Sequence, residues 1–301
     1  MDEGPLFTFG DLFFWLYLYP LPKIAGILPA RALDWIAGLG DPLMQFQARH
    51  KRARAMRWMV ACGCASRSGA GKIARQSVSR QLSGYLNDLM LLSPRRAKAL
   101  ECTGIDGAEH YERARAQQKG VILISGHFAC GRAAASYLTR RGDAILAVHN
   151  QLSPNRNGGR LGRALMPRFT ELRRRAYPNV VYIQDPQCSL KILKTLRCGG
   201  SVKIQIDGAA GTKYIECTFL GAPWRMPVGI FDLIRISGCA VVPMMATGNG
   251  RSFRILFEEP LSIQHGGSRE EFIAANWPIL LGAIEKQILD HPEEWTLWTN
   301  K

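Results

Sequence analysis

Several motifs that would assign a function directly are missing from this chain of 301 residues. It carries no P-loop, no GxGxxG fingerprint and no HExxH pair, so the sequence indicates neither a nucleotide-phosphate loop nor a zinc-protease site. Its eight cysteines are scattered, and the close pair Cys62 and Cys64 lacks the CxxC spacing of zinc and redox sites. We therefore expect reduced thiols and no metal site.

A long apolar run is also missing from the N-terminal part. The apolar run at residues 12–19 lies in the aromatic-rich stretch 6–30 and is far shorter than the ~20 residues that span a bilayer. Asp2 and Glu3 stand where a signal peptide carries cations. Because aromatic side chains favour the headgroup boundary, we predict that residues 6–30 form an interfacial membrane anchor; the alternative is a buried helix.

Acidic residues are scarce in the first 175 positions. Residues 1–175 hold 27 of the 39 Lys and Arg but only 12 of the 24 Asp and Glu, which accounts for the whole net charge of +15. Such a basic surface suits anionic lipid or nucleic acid, or is simply solvated. A predicted helix at residues 45–61 carries five cations beside apolar side chains, and no nucleic-acid-reading motif is present. We therefore expect an anionic membrane surface as a partner and no nucleic acid.

The chain after residue 100 alternates predicted strands and helices. Apolar, β-branched runs predict strands at residues 121–125, 144–149, 179–183, 201–206, 240–246 and 253–257. Helical periodicity predicts helices at residues 131–139, 162–175, 189–197, 228–236 and 269–289. This alternation predicts an α/β domain at residues 101–301, with a mostly parallel sheet flanked by helices. Residues 1–100 are predicted to form a helical, membrane-associated N-terminal region, with a loop at 66–71 and a helix at 73–92.

The stretch 119–134, KGVILISGHFACGRAA, is central to the functional prediction. A predicted buried strand ends at Ser125, Gly126 breaks it, and His127 follows at once before a predicted helix. Open α/β sheets place their ligands at such carboxyl ends of strands. Imidazole titrates near working pH and is a common general base, so His127 is the first catalytic candidate. The alternative is a histidine whose ring only satisfies the strand end.

The same stretch resembles the core of the lysophospholipid acyltransferase superfamily, in particular its lipid A lauroyl/myristoyl acyltransferase branch. Later segments resemble further blocks of that family in the same order: Asp207 with its glycines, Val242-Pro243, and the closing HPEEWTLWTN at residues 291–300. The resemblance implies that His127 is the general base of acyl transfer. It also implies an acid five positions beyond this histidine, which orients the imidazole ring.

Arg132 occupies the position of that acid, a departure from the family pattern. A cation cannot accept the imidazole N–H, and it disfavours the imidazolium that forms when the base takes a proton. Three interpretations stay open: a carboxylate from elsewhere replaces the acid, Arg132 contacts a phosphate or phosphopantetheine of the substrate, or the protein is catalytically inactive. Arg160 and Arg163 are further candidates for substrate binding; the alternative is that they lie on a solvated helix face.

Residues 201–211, SVKIQIDGAAG, are the second candidate segment. Asp207 follows a predicted strand and is the best nearby candidate to replace the missing acid. Gly208 and Gly211 follow in a loop whose backbone N–H groups can approach an anion, so both are candidates for substrate binding. The alternative is a plain turn at Gly208.

The resemblance implies an acyltransferase that moves a fatty acyl group from an acyl thioester to a lipid or amphiphile. The donor would be acyl carrier protein or coenzyme A, both acidic, which suits the basic part of the chain. No cofactor is implied. We expect a peripheral or monotopic protein at the cytoplasmic face of the inner membrane. The alternative is a catalytically inactive relative that binds acyl chains or lipid.

Overall fold

A seven-stranded sheet lies at the centre of the fold, in a computed structural model that describes residues 6, 8–150, 159–177, 179–208 and 213–299. The strands are β1 (Glu101–Asp106), β2 (Val121–Ser125), β3 (Ile145–His149), β4 (Val180–Tyr182), β5 (Ser201–Gln205), β6 (Tyr214–Phe219), β7 (Ala222–Pro227), β8 (Ala240–Asn249) and β9 (Ser252–Phe257). The helices are α1 (Phe9–Leu18), α2 (Pro20–Ile27), α3 (Ala30–Gln47), α4 (Arg49–Ala61), α5 (Arg67–Met90), α6 (Pro94–Ala97), α7 (Ala108–Ala116), α8 (Gly131–Arg140), α9 (Arg160–Ala176), α10 (Cys188–Arg197), α11 (Gly229–Ser237) and α12 (Arg269–Asp290).

The sheet has the strand order β1-β9-β8-β2-β5-β3-β4. Its neighbouring strands are parallel except β8 and β9, which run antiparallel. β6 and β7 form a separate antiparallel hairpin, and its tight turn holds Leu220 and Gly221 at positive φ. The predicted α/β class, with a mostly parallel sheet flanked by helices, is confirmed.

The central strand β2 is buried along its whole length. Ile122 and Ile124 pack into the core formed with α10, α11 and α12, while Val121 and Leu123 pack on the other face against α8. A continuous apolar run is expected of a parallel strand that helices cover on both faces. This packing fixes the C-terminal end of β2, directly before His127.

Helix α5 ties the N-terminal helices to the part of the chain that carries the sheet. Ser77 donates a hydrogen bond to the backbone oxygen of Trp295, and Asn87 donates one to that of Gly250, each at 2.8 Å. The helical character of the N-terminal region is confirmed. Its association with a membrane and the domain boundary at residue 100 stay predictions.

Helix α1 turns part of its aromatic surface inward. Leu18 is buried, and Phe14 and Tyr17 pack against Phe169 of α9, with ring centroids 5.2 and 6.1 Å apart. The aromatic stretch 6–30 is therefore partly interior, in line with its alternative interpretation. Among the described residues, no helix combines the length and the apolarity needed to cross a membrane.

Some local predictions are wrong. Residues 66–71 are not a loop: Ser66 caps α5, and its hydroxyl accepts a hydrogen bond from the Gly69 N–H at 3.2 Å, as serine commonly does at an N-cap. The helix predicted at residues 45–61 is divided between α3 and α4, which meet at Ala48. The strands β1, β6 and β7 are not predicted, because each contains several exposed or half-buried positions and no continuous apolar run.

Candidate active site

His127 and Asp207 meet at the C-terminal edge of the sheet. β2 and β5 are parallel neighbours in register, with Ser125 opposite Gln205, so their continuations leave the sheet side by side. The ladder extends one step further, because the Ile206 N–H donates to the Ser125 carbonyl at 3.1 Å. The two candidates, each two residues beyond its strand, are therefore brought together by the topology.

The carboxylate of Asp207 is fully buried and accepts three hydrogen bonds. The His127 ring Nδ1 lies 2.6 Å from Oδ1, the His127 backbone N–H donates to Oδ2 at 2.7 Å, and the Trp295 indole Nε1 donates to Oδ2 at 2.6 Å. Because an ionised carboxylate only accepts, the ring proton sits on Nδ1. In the neutral ring Nε2 then carries no proton and can accept one, and the side chain is 33% exposed.

Asp207 remains ionised in these surroundings. Burial alone would raise the pKa of its carboxyl, but attraction to the protonated form of the His127 ring and the hydrogen bonds from His127 and Trp295 outweigh burial and hold the pKa below its usual range. A buried carboxylate on Nδ1 orients the imidazole and stabilises the imidazolium that forms when Nε2 takes a proton. The pair therefore has the geometry of a general base with its orienting acid.

The C-terminal segment holds the His127 loop in place. The Thr296 N–H and hydroxyl both donate to the His127 carbonyl, at 2.9 and 2.7 Å, and the Ala129 N–H donates to the Glu294 carbonyl at 3.1 Å. Phe128 forms a backbone bridge with Trp295. The sequence resemblance included this segment but gave it no role. In the structure its hydrogen bonds hold the loop that carries His127.

A second buried carboxylate supports the same segment. Glu294 is buried, accepts the Gly248 N–H at 2.9 Å, and lies 3.5 Å from Nε of Arg80. Burial raises the pKa of Glu294 to about 7, against the opposing charge of Arg80. The carboxyl therefore titrates near neutral pH, beneath the loop that carries His127.

Arg132 is held by a carboxylate from the N-terminal helices. Its Nε donates to Oδ1 of buried Asp88 in α5 at 2.9 Å, and the Tyr177 hydroxyl donates to the same oxygen. Burial alone would lower the pKa of Arg132, but the negative charge of Asp88 reverses this and raises it, so Arg132 is always charged. Arg132 does not contact Asp207 through any hydrogen bond. The imidazole N–H, which this residue cannot accept, goes to Asp207 instead.

A cavity of about 270 Å³ opens in front of His127. Its walls include Arg132, Asp88, His149 and Arg173. Buried Nδ1 of His149 and Nε of Arg173 have no hydrogen-bond partner among the described residues. Burial, and then the charge of Arg173, lower the pKa of His149 well below its usual range, so this ring is neutral. His149, which belongs to no motif in the sequence, thus lies in the wall of the cavity.

Lys203 adds a further cation close to this cavity. It points from β5 towards the first turn of α8, where its Nζ lies 3.6 Å from the position that a Cβ on Gly131 would take. The side chain is 5% exposed, and burial, followed by the charge of Arg132, lowers the pKa of Lys203 to about 8. With Arg132 and Arg173, it gives this side of the site a positive potential, which favours an anionic ligand.

The remaining candidates are separated by the structure. Gly208 lies directly against His127, because a Cβ at this glycine would be 3.0 Å from Cε1 of the imidazole. Gly211 lies outside the described residues. Arg160 is exposed and Arg163 half-buried at the start of α9, and neither lines the cavity in front of His127.

A second cavity lies beside the first and is mainly apolar. It measures about 510 Å³, and Gln205 lines both cavities. Its wall includes aliphatic side chains of β3, β5, α10 and α11, among them Val148, Ile192 and Leu233. Within the ranges that the structure describes, no cluster of three His, Cys, Asp or Glu side chains is arranged to hold a metal ion.

Sequence comparison finds one family match that covers nearly the whole chain. A family model described as "Bacterial lipid A biosynthesis acyltransferase" matches residues 9–301, which include His127, Asp207 and the C-terminal segment that holds them. No curated protein matches the sequence.

Proposed function

The chain belongs to the bacterial lipid A biosynthesis acyltransferase family, and we propose that it moves a fatty acyl group from an acyl thioester to a lipid or amphiphile, with His127 as general base. The contact between His127 Nδ1 and buried Asp207, 2.6 Å long, carries this proposal. It supplies the orienting acid whose usual position is taken by Arg132. The interpretation that the protein is catalytically inactive has no comparable support, because His127 and Asp207 form a complete pair and His127 lines the cavity.

The proposed reaction uses both nitrogens of the ring. A hydroxyl or amine of the acceptor attacks the thioester carbonyl, and Nε2 of His127 takes its proton while the new C–O or C–N bond forms. Asp207 stays ionised and stabilises the imidazolium through Nδ1. The C–S bond then breaks, and the imidazolium returns the proton to the leaving thiolate. This sequence is balanced without a metal or a redox partner.

The two cavities suit the two parts of an acyl donor. We assign the acyl chain to the apolar cavity between α10 and α11. Gln205 lines both this cavity and the cavity in front of His127, so the two are adjacent. We assign a phosphate of the donor or acceptor to the cation-lined cavity. Arg132 binds Asp88 through Nε alone, which leaves its terminal nitrogens for such an anion. Binding roles for Gly208, Gly211, Arg160 and Arg163 stay predictions.

Acyl carrier protein and coenzyme A are the proposed donors, because both are acidic and the first 175 residues account for the whole net charge of +15. The cytoplasmic face of the inner membrane is the proposed location, where such donors meet a lipid acceptor. An inactive relative that only binds acyl chains is the competing function, and it predicts binding without transfer.

Lipid mass spectrometry of cells tests the proposal. Strains that lack the gene, or that carry the wild type or His127→Ala, should differ in one set of acylated species. These species should vanish on deletion and return only with the wild type. Their return with a stably expressed His127→Ala variant would reject His127 as the base.

A further inference from the structure

An apolar stripe runs along the outer face of α3. Trp35, Leu39 and Phe46 are 77%, 80% and 62% exposed, and Leu43 between them is also exposed. Spacings of four, four and three residues place these side chains on one face of the helix. The opposite face is the one that packs inward, since Leu33 is buried and Gly40 faces Leu82. The outer stripe therefore makes no contribution to the core.

Exposed cations border the stripe. Arg31 is exposed near the start of α3, and the Arg49 guanidinium lies over the Phe46 ring at 4.3 Å from its centroid. The exposed cations Lys51, Arg54 and Arg57 follow on α4. The acidic residues of α3 already have partners inside the protein: Asp34 pairs with Arg251 at 3.0 Å, and Asp41 accepts from Ser79 at 2.6 Å.

We propose that α3 docks on an anionic bilayer surface, with Trp35, Leu39 and Phe46 at the boundary between headgroups and acyl chains. Arg31 and Arg49 would then lie at the level of the lipid phosphates. Apolar side chains flanked by cations have the chemistry of an interfacial helix. A second copy of the chain is a poorer occupant, because a two-fold contact across this face would bring Arg31, Arg49 and the cations of α4 against their own equivalents.

This assignment moves the membrane contact away from the segment that the sequence favoured. In α1, Phe14 and Tyr17 pack on Phe169 and are not available to lipid. α3 also ends close to the candidate active site, because Lys51, five residues beyond Phe46, lines the cavity in front of His127. Docking through α3 would therefore bring the rim of that cavity to the bilayer surface.

Vesicle flotation of the full chain tests the proposal without any acyl donor, so its outcome is independent of the proposed reaction. The vesicles are phosphatidylcholine alone or with 30% phosphatidylglycerol. We expect Leu39→Gln/Phe46→Gln to weaken binding to the anionic vesicles by about a hundredfold, on the order of tenfold for each large side chain removed from the interface. The matched control is Leu190→Gln/Ile236→Gln, at positions 68% and 57% exposed on α10 and α11, which should bind like the wild type.

Two further arms define the contact. Arg31→Gln/Arg49→Gln should lower the preference for anionic over neutral vesicles, and high salt should do the same to the wild type. Lipids with brominated acyl chains should quench part of the tryptophan fluorescence, and Trp35→Phe should remove that part. Wild-type binding by the folded α3 double variant would overturn the proposal. A second result would also overturn it: the wild type does not bind the vesicles and is a dimer in solution, and Leu39→Gln/Phe46→Gln converts this dimer to a monomer.

Discussion

Asp207→Asn is the substitution whose effect the geometry determines most closely. The native carboxylate accepts one hydrogen bond at Oδ1, from the His127 ring, and two at Oδ2, from the His127 backbone and Trp295. An asparagine side chain has a single acceptor oxygen. At the Oδ2 position this oxygen accepts from two donors, the His127 backbone N–H and Trp295, whereas at the Oδ1 position it would accept from the His127 ring alone. Its NH₂ group then faces Nδ1 of His127 and needs an acceptor there, so the ring proton moves to Nε2.

The expected loss follows from this tautomer. An imidazole protonated on Nε2 cannot take the proton of the attacking hydroxyl or amine. The same exchange in a serine protease triad lowers turnover by about 10⁴, which corresponds to about 5.5 kcal/mol of transition-state stabilisation. The fold should survive, because the replacement has the same shape, keeps the two hydrogen bonds at Oδ2 and reverses the direction of the third.

The assay is transfer of a radiolabelled palmitoyl group from coenzyme A or acyl carrier protein to a lipid extract, with release of thiol measured in parallel. A thermal melt checks the fold of each variant. Adding His127→Ala to Asp207→Asn should cost little more than either change alone, because the two groups act as a unit. An active wild type beside a folded Asp207→Asn variant within about threefold of it would refute the proposed role of Asp207.

Three further predictions concern the surroundings of the site. Gly208→Ala should lower turnover at least tenfold with an unchanged melting temperature, because its Cβ would crowd the imidazole at 3.0 Å. The control Gly282→Ala, an exposed position with nothing within 4 Å of the added Cβ, should leave turnover unchanged; equal activities of the two variants would contradict this. Arg132→Glu places a second carboxylate against buried Asp88, so we expect the free energy of unfolding to fall by about 3–5 kcal/mol and activity to be lost. Adding Asp88→Arg should restore part of both, whereas higher turnover in Arg132→Glu would show that the native site lacks an acid. Because the pKa of Glu294 is raised to about 7, this residue stabilises the folded state most at low pH, and about 3 kcal/mol of that contribution is lost as pH rises from about 4.5 to 7. In urea unfolding, the free energy of unfolding of Glu294→Gln should lack this decrease with pH, and an identical pH dependence in both proteins would exclude the titration.

The strands that build the site are those that the sequence predicts best. β2 is a continuous apolar run, which is typical of a buried parallel strand, and β5 is a run in which polar and apolar residues alternate, SVKIQ. Asp207 could be proposed as the substitute acid because it follows the second of these runs. That β2 and β5 are neighbours, which brings the two residues into contact, is a matter of strand order and is not encoded in either run.

The other parts of the site come from distant segments. Asp88 lies 44 positions before Arg132 on a helix whose apolar pattern gives no hint of a partner, and Trp295 lies 88 positions after Asp207. His149 and Lys203 carry no motif, and only packing of their strands shows that they lie beside the site. For the same reason the sequence could not distinguish the aromatic residues of α1 that pack inward from those of α3 that stay exposed.

Single-turnover transfer by the purified protein tests the central claim most directly. The wild type and His127→Ala are mixed with radiolabelled palmitoyl-acyl carrier protein and the lipid extract, and thiol release and acylated lipid are followed together. We expect both products to form in equal amounts with the wild type and neither to form above background with a folded, vesicle-binding His127→Ala variant. Equal transfer by the two proteins, or acyl binding by the wild type without any transfer, would contradict the assignment of His127 and Asp207 as the catalytic pair.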